Sequence, residues 1–142
     1  GSVGHGRIGR LTRPTSLQKF AALVAEVLPF SARGVAVAGD PEQEVSTVAL
    51  CGGAGDSFID AALASAADVY VTSDLRHHPT LDATSTPRQK PIALVDVSHW
   101  AAESLWLESA ASSIENAHEG VPVYVSEVVT DPWVFSINRG ER

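Results

Sequence analysis

His99 and Glu103 are four residues apart in a segment whose pattern predicts a helix, and this spacing places both side chains on one helical face. An imidazole nitrogen and a carboxylate oxygen suit zinc, manganese or iron. The segment follows a short apolar strand over residues 92–95, and open α/β sheets bind ligands at the carboxyl ends of their strands. The pair is therefore predicted to bind a metal ion. In the alternative interpretation, His99 caps the helix locally and Glu103 reaches solvent at the rim of the sheet.

Glu103 falls on the apolar side of this predicted helix. A carboxylate among apolar side chains is costly unless it is paired, hydrogen-bonded, neutralised or bound to a cation. The sequence therefore predicts a compensating partner for Glu103. The helix has an apolar and a polar face, consisting respectively of Trp106, Leu107, Ala110, Ile114 and Ala117, and of Ser104, Glu108, Ser112 and Glu115.

A run of glycines, Gly52, Gly53 and Gly55, lies between a predicted strand and a predicted helix. Backbone N–H groups exposed at such a position can bind an anion such as the phosphate of a cofactor. The run lacks the Lys and Ser/Thr of a P-loop, and the G-x-G-x-x-G spacing of a dinucleotide-binding loop is absent. A tight turn from strand to helix explains the glycines equally well, and both interpretations can hold together.

Asp74 and His78 follow the next buried strand, so both side chains can project to the same sheet edge as the glycines. They could act as general acid or base, or they could hydrogen-bond a metal ligand and so orient it. The alternatives are a turn-capping role for Asp74 and a solvated loop position for His78.

The composition argues against several classes of function. Ten Lys and Arg against seventeen Asp and Glu give a formal net charge of −7, which disfavours binding to the phosphates of nucleic acids. Cys51 is the single cysteine, so no internal disulfide can form, and a buried strand cysteine is usually a small hydrophobe. No apolar run reaches the roughly 18 residues that span a bilayer, and no secretory signal opens the chain. We expect no nucleic-acid or membrane partner and a cytoplasmic location.

The length of 142 residues predicts one compact domain. Gly1-Ser2 resembles the scar left when a tag is removed, and the glycine-rich segment that follows does not favour the start of a core element. We therefore predict a tag scar and interlobe linker over residues 1–13 and an α/β lobe over residues 14–142.

Alternating helical and strand patterns predict an α/β fold with a mixed sheet and helices packed on it. A helix follows the capping candidates Thr15 and Ser16 and ends before Pro29. The short connection between two predicted strands, residues 34–38 and 45–51, favours an antiparallel hairpin.

After the glycine run, Asp56 and Ser57 are capping candidates for a helix with a buried face of Ile59, Ala62, Leu63 and Ala66. A strand over residues 68–72 follows, and this strand–helix–strand unit predicts a right-handed parallel crossover. The remaining predicted elements are a helical turn over 80–83, a strand over 92–95, a long helix over 99–117 ended by Gly120, and strands over 121–125 and 133–137.

Several ordered motifs together resemble one protein family. They are Gly6-Arg7-Ile8-Gly9, residues 48–55 with Phe58-Ile59, residues 68–74 with His78, Asp96-Val97-Ser98-His99 with Glu103, and Thr130-Asp131-Pro132. They resemble the NGG-one-interacting factor three family, whose bacterial members are often labelled GTP cyclohydrolase I type 2 homologues. Members look like two-lobed α/β proteins with a pair of metal ions between the lobes, and this chain looks like the second, C-terminal lobe.

The resemblance implies roles for the candidate residues. The metal ligands of the second lobe fall on His99 and Glu103, Asp74 and His78 line the same cleft, and the glycine run lies beside it. The ligands of the first lobe have no counterpart here. The resemblance implies two divalent ions (zinc, manganese or iron) in each full-length subunit, absent from or weakly bound to this lobe alone. Two serines, Ser73 and Ser98, stand where the family commonly has glycine.

The function that the resemblance implies is metal-dependent hydrolysis of GTP or a related nucleotide or pterin, incomplete in this chain and therefore inactive. It also implies a homo-oligomer. The rival hypothesis is a non-enzymatic metal-binding regulatory protein or interaction scaffold. A third possibility is a natural single-lobe protein with a structural contact between His99 and Glu103.

Overall fold

A computed structural model describes residues 4–87 and 91–137. Five strands form one sheet in the order β1-β3-β4-β5-β2. The strands are β1 (Gly6–Ser16), β2 (Ala36–Ala38), β3 (Glu44–Ala54), β4 (Val69–Ser73) and β5 (Ala93–Val97). The helices are α1 (Leu17–Val27), α2 (Ile59–Ala64), α3 (His77–Ser85), α4 (His99–Ser104) and α5 (Leu107–Ala117), with a 3₁₀ turn over Asp56–Phe58 before α2.

The sheet is mixed. Its centre consists of β3, β4 and β5, which run parallel, and the antiparallel strands β1 and β2 form its edges. The predicted α/β class and the parallel pairing across the glycine run are both confirmed. Because β3, β4 and β5 are parallel, their carboxyl ends meet at one edge of the sheet, where ligands of open α/β sheets bind.

The predicted hairpin between residues 34–38 and 45–51 is wrong. The first of these segments forms β2, which pairs with β5, and the second lies in β3, between β1 and β4. A short connection permits a hairpin but does not require one. Both sides of β3 are taken by other strands, so the three-residue β2 lies at the opposite edge of the sheet.

The glycine-rich N-terminal segment is a strand, contrary to the expectation that it would not begin a core element. Gly6 opens β1, and a Cβ there would lie 2.8 Å from the carbonyl oxygen of Leu50. The glycine therefore lets the edge strand approach β3 closely. The register shifts between Arg10 and Thr15. The tag scar at Gly1-Ser2 lies outside the described residues, and the linker role of residues 1–13 stays a prediction.

Each face of the sheet carries its own apolar core. Full burial of a side chain such as Leu17 stabilises the fold by about 2 kcal/mol. The core beneath α1 contains Leu17, Phe20, Val45, Val69, Val71, Ala93, Val95 and Val97. The core beneath α2 and α3 contains Ala49, Cys51, Ile59, Ala62, Ala67, Tyr70, Ala83, Ile92 and Leu94. Cys51 is thus a buried hydrophobe, whereas Ala66, predicted to be buried, is exposed beyond the end of α2.

The C-terminal third differs from its prediction. The predicted long helix is divided into α4 and α5, because the N–H of Trp106 bonds to the carbonyl of Glu103 three residues back. The predicted turn over 80–83 is part of the nine-residue α3. Residues 121–125 and 133–137, which were predicted to be strands, pair with no strand among the described residues. A segment with strand-forming residues becomes a strand only where a sheet edge can pair with it.

In the described ranges, no helix is long and apolar enough to cross a membrane.

Candidate metal centre

His99 is the first residue of α4 and follows the end of β5 directly. Ser98 caps this helix, since its Oγ accepts a hydrogen bond from the N–H of Ala101 at 3.3 Å. The same hydroxyl donates to Asp131 Oδ2 at 2.8 Å. The start of α4 is therefore held locally by the cap and at long range by the C-terminal segment. This holds the imidazole at the carboxyl edge of the parallel strands.

The two ring nitrogens of His99 face two different carboxylates. Nδ1 lies 2.6 Å from Asp74 Oδ2, and Nε2 lies 3.0 Å from Glu103 Oε1. The hydrogen bond to Asp74 is the main cause that raises the pKa of His99 above its ordinary value, and Glu103 adds to the rise while burial opposes it. The two predicted ligands, His99 and Glu103, therefore contact each other, and His99 also contacts Asp74.

The arrangement is one in which a histidine can bind a metal ion. A ligating histidine usually donates its second ring N–H to a carboxylate, which fixes the tautomer and the ring orientation. Asp74 takes that position at Nδ1 and leaves Nε2 beside Glu103. Two ligand atoms about 2.0–2.2 Å from a tetrahedral zinc ion are roughly 3.3–3.6 Å apart, so Nε2 and Oε1, at 3.0 Å, need to separate by only about 0.3–0.6 Å to bind one ion.

Gly53 keeps the space beside the pair open. A Cβ at Gly53 would lie 3.0 Å from Glu103 Oε1 and 3.4 Å from His99 Nε2, and its φ of +69° also favours glycine. A side chain at this position would place an atom against both ligands, so the glycine leaves the space beside them free. The donor types, their separation and this glycine together fit a divalent metal ion.

Gly55 has a packing role instead. A Cβ at this position would overlap Thr72 Oγ1 and the hydroxyl of Tyr70. Its N–H donates to the carbonyl of Ser73 at 3.2 Å, and its carbonyl accepts from the Tyr70 hydroxyl at 2.9 Å. Burial raises the pKa of Tyr70 to about 12, so the hydroxyl stays a donor.

Anion binding by the glycine run stays a prediction. Two features work against it: the N–H of Gly55 is already bonded, and the carboxylate of Glu103 lies beside Gly53. Gly52 is exposed and has open space around it.

An open cleft of about 620 Å³ surrounds the pair. Asp74, His99 and Glu103 line it. So do six residues of the C-terminal segment, namely Ser126, Val128, Thr130, Asp131, Pro132 and Trp133. All three tryptophans of the sequence also line this cleft, namely Trp100, Trp106 and Trp133. The cleft thus combines the carboxylates of Asp74, Glu103 and Asp131, the guanidinium of Arg33, an imidazole and aromatic surface.

The compensating partner predicted for Glu103 is His99. The argument for it was wrong, because it assumed that the Glu103 side chain is buried. The Glu103 side chain is 55% exposed, and Trp106 on the supposed buried face is 62% exposed. Helical periodicity defines an apolar face but does not show what covers it. Within residues 4–87 and 91–137, moreover, no group of three or more His, Cys, Asp or Glu side chains is arranged to hold a metal ion, because Asp74 lies on the far side of the ring.

Comparison with known proteins assigns the chain to a family. The family described as Duf34/NIF3 (NGG1p interacting factor 3) matches residues 2–132. The chain belongs to the DUF34/NIF3 family. Among its curated relatives, the GTP cyclohydrolase 1 type 2 homolog of Streptomyces coelicolor is 44% identical over 141 residues, which are 96% of this chain and 48% of that protein. The homolog of the same name from Mycobacterium tuberculosis is 48% identical over 139 residues, 96% of this chain and 36% of that protein.

A solved structure supports the same assignment. The Bacillus cereus protein related to NIF3 superposes with a TM-score of 0.80 at 29% identity, covering 94% of this chain and 36% of that one. The chain therefore spans between about a third and a half of the length of these NIF3 relatives.

Of the two predicted catalytic residues, the structure brings only Asp74 to His99. His78 is an exposed residue of α3, its ring lies edge-to-face with that of His77 at 5.2 Å, and it is absent from the lining of the cleft. A catalytic role for either residue stays a prediction. For His78, the geometry of this NIF3 chain offers no support.

Ser73 and Ser98, where the sequence departs from the motifs that it resembles, have different environments. Ser98 caps α4 and bonds to Asp131, so its hydroxyl is used twice. The hydroxyl of Ser73 is buried and has no hydrogen-bond partner among the described residues.

Sequence reasoning gave no role to Arg33 and Ser31. Ser31 Oγ donates to Asp131 Oδ2 at 2.8 Å, and Arg33 Nη2 donates to Asp96 Oδ2 at 2.8 Å. Both residues lie in the loop between α1 and β2, far in sequence from the motifs that contain Asp96 and Asp131. The only sequence signal available was that Asp96 and Asp131 belong to the motifs that resemble the NIF3 family.

Proposed function

We propose that His99 and Glu103 are the ligands that this chain contributes to a divalent metal centre of zinc, manganese or iron. The observation that carries the proposal is the 3.0 Å separation of His99 Nε2 and Glu103 Oε1, with Asp74 on Nδ1. Ligands outside this chain complete the centre, which holds two ions in the full-length subunit. When bound, such ions lower the pKa of a coordinated water and polarise the bond to be hydrolysed.

The reaction proposed for the full-length protein is hydrolysis of GTP or a related nucleotide or pterin. The names of the relatives from Streptomyces coelicolor and Mycobacterium tuberculosis support this choice of substrate. The residues of this chain would orient the site: Asp74 holds the proton at Nδ1, and the cleft with its three tryptophans offers aromatic surface for a planar ring.

The experiment is metal analysis and turnover of the full-length protein with Glu103→Ala, His99→Ala and the control Glu108→Ala. Glu108 is an exposed carboxylate on α5 and is absent from the lining of the cleft. Both site variants should lose metal and GTP turnover together, while the control retains both. Turnover retained in a metal-free Glu103→Ala protein would contradict the proposal.

The 142-residue chain alone should bind metal weakly, because two ligands do not make a closed site. Zinc titration by calorimetry measures this directly. Tight, near-stoichiometric binding that His99→Ala abolishes would mean that the site is complete within this chain.

A second candidate function is a non-enzymatic metal-binding regulatory protein or interaction scaffold, assembled as a homo-oligomer. The observation that favours it is the exposed apolar surface of the C-terminal third, where Ile114, Val128 and Phe135 are 45%, 70% and 74% exposed. Surface of this kind commonly marks protein interfaces. Full-length protein that is oligomeric by light scattering and holds metal, yet turns over no nucleotide, pterin or cyclic ester, would favour this function over hydrolysis.

A further inference from the structure

Asp74 has an unusual backbone conformation. Among the described residues other than glycine, it alone has a positive φ, at 58°. The Cβ of an ordinary residue makes the left-handed region unfavourable. Aspartate adopts this region more readily than most residues, and in this conformation its carboxylate faces His99 Nδ1.

Asp96 holds the backbone next to Asp74. It lies on β5 opposite Thr72 of β4, and its Oδ1 accepts a hydrogen bond from the N–H of Leu75 at 3.2 Å. Its second oxygen, Oδ2, accepts from Arg33 Nη2 at 2.8 Å. One carboxylate thus connects the turn after β4 to the loop that carries Arg33.

Arg33 reaches the side chain of Asp74 as well. Its Nη1 lies 4.0 Å from Asp74 Oδ1, while Asp74 Oδ2 faces His99 Nδ1 at 2.6 Å. A guanidinium carries its charge in a rigid plane, so Arg33 can hydrogen-bond Asp96 while it attracts Asp74 electrostatically at a distance too long for a hydrogen bond, which a lysine ammonium cannot do with the same geometry. The guanidinium carbon also lies 5.9 Å from the ring centre of Trp133.

We propose that Arg33 is a positioning residue for His99: by bridging Asp96 and Asp74 it keeps Asp74 on Nδ1, so that Nε2 is the nitrogen left to bind a ligand. The inference rests on the proposed metal function, because the orientation of Nε2 matters only where that nitrogen binds a ligand. Asp74 and Glu103 compete for the one proton of neutral His99, and Asp74 has the shorter contact, 2.6 Å against 3.0 Å. The proposal places the proton of neutral His99 on Nδ1, the nitrogen that faces Asp74.

The test is the ring tautomer of His99 in the metal-free 142-residue chain. Long-range proton–nitrogen spectra of chain labelled with ¹⁵N-histidine are recorded at a pH above the raised pKa of His99, whose signals are those missing from His99→Gln. Wild-type chain should show the Nδ1–H tautomer. Asp74→Asn should move the proton to Nε2, where Glu103 accepts it. Arg33→Lys should shift the tautomer ratio in the same direction.

Two further variants keep the test decisive. Asp96→Asn retains an acceptor for Leu75 but weakens the attraction to Arg33, so it should also shift the tautomer, even if Arg33→Lys fails to fold. Arg76→Lys is the matched control, because Arg76 pairs with Asp56 instead of Asp74. It should leave the tautomer unchanged.

A purely structural role for Arg33 would lower the melting temperature without moving the proton. Wild-type tautomer in folded Asp96→Asn or Arg33→Lys chain, with a shift in Asp74→Asn, would overturn the proposal. Failure of the metal function has a separate signature: zinc would leave the Nε2 signal of His99 unmoved in the full-length protein, while the tautomer shifts of the variants persist.

Discussion

Ser98 Oγ donates a hydrogen bond of 2.8 Å to Asp131 Oδ2, and this bond ties the residue before His99 to the C-terminal segment. The two residues are 33 positions apart. Ser31 donates to the same oxygen, and the N–H of Trp133 donates to the other one at 3.1 Å. Asp131 is therefore the point where the C-terminal segment is held against the start of α4.

Replacement of Asp131 by alanine should loosen this segment. Hydrogen bonds to a charged group are worth more than neutral ones, and the site is partly exposed, so we expect a loss of about 1–2 kcal/mol in the free energy of unfolding. Urea denaturation measures the loss, and limited proteolysis should cut the C-terminal segment faster. Asp60→Ala, at an exposed position on α2, is the control. Equal stability of the two variants would show that Asp131 does not anchor the segment.

Protonation of the Asp131 carboxylate should contribute to the loss of stability in acid. Burial alone raises the pKa of Asp131, but its bonds to the Trp133 N–H, Ser98 and Ser31 and the charge of Arg33 outweigh this and hold the pKa below its ordinary value. The contribution is present above the unfolded pKa of about 3.9 and is lost as the pH falls through the lower folded value. Urea denaturation between about pH 5 and pH 2 should show a weaker pH dependence in Asp131→Asn than in wild type. Identical slopes would argue against the contribution.

Gly53→Ala should impair the metal site beyond its effect on the backbone. The added Cβ lies 3.0 Å from Glu103 Oε1, and the positive φ costs about 1 kcal/mol for a non-glycine residue. Gly34→Ala is the matched control, because Gly34 has a similar φ of +65° but open space around it. Both variants should lose similar stability in thermal denaturation, whereas the full-length Gly53 variant alone should lose metal by elemental analysis. Full occupancy in Gly53→Ala would contradict the proposed position of the ion.

Gly55→Ala should destabilise the chain severely. The new Cβ overlaps the buried side chains of Thr72 and Tyr70, so the strand must move or two hydrogen bonds must break, at a cost of about 3 kcal/mol or more. Gly52→Ala, three residues earlier and in open space, should change the free energy of unfolding by less than about 1 kcal/mol. Circular dichroism on heating distinguishes the two. A stable Gly55→Ala chain would mean that this turn relaxes easily.

Local patterns predicted those features that depend on near neighbours. The capping candidates Thr15 and Ser16 and the stop at Pro29 predicted α1, and Ser16 stands at its N-cap as expected, although its side chain makes no capping bond. The parallel crossover from β3 to β4 followed from the order of the elements and the chirality of the connection.

Pairings between distant segments were not predictable in the same way. The hairpin of β2 with β3 failed because β1 and β4 compete for the two sides of β3, a competition that no local pattern reports. The single long helix failed for a different reason. The residues around Trp106 keep good helical composition, yet the chain there makes a tighter three-residue hydrogen bond that separates α4 from α5.

The sequence by itself determined that His99 and Glu103 share a helical face after a parallel strand, because a four-residue spacing and a helical period are local properties of the chain. The tertiary structure alone decided what meets each nitrogen of that histidine. Asp74 reaches Nδ1 from 25 residues earlier, and Arg33 reaches Asp74 from another loop. Such contacts depend on how strands and loops pack at one sheet edge, and this packing cannot be predicted from the separation of the residues along the chain.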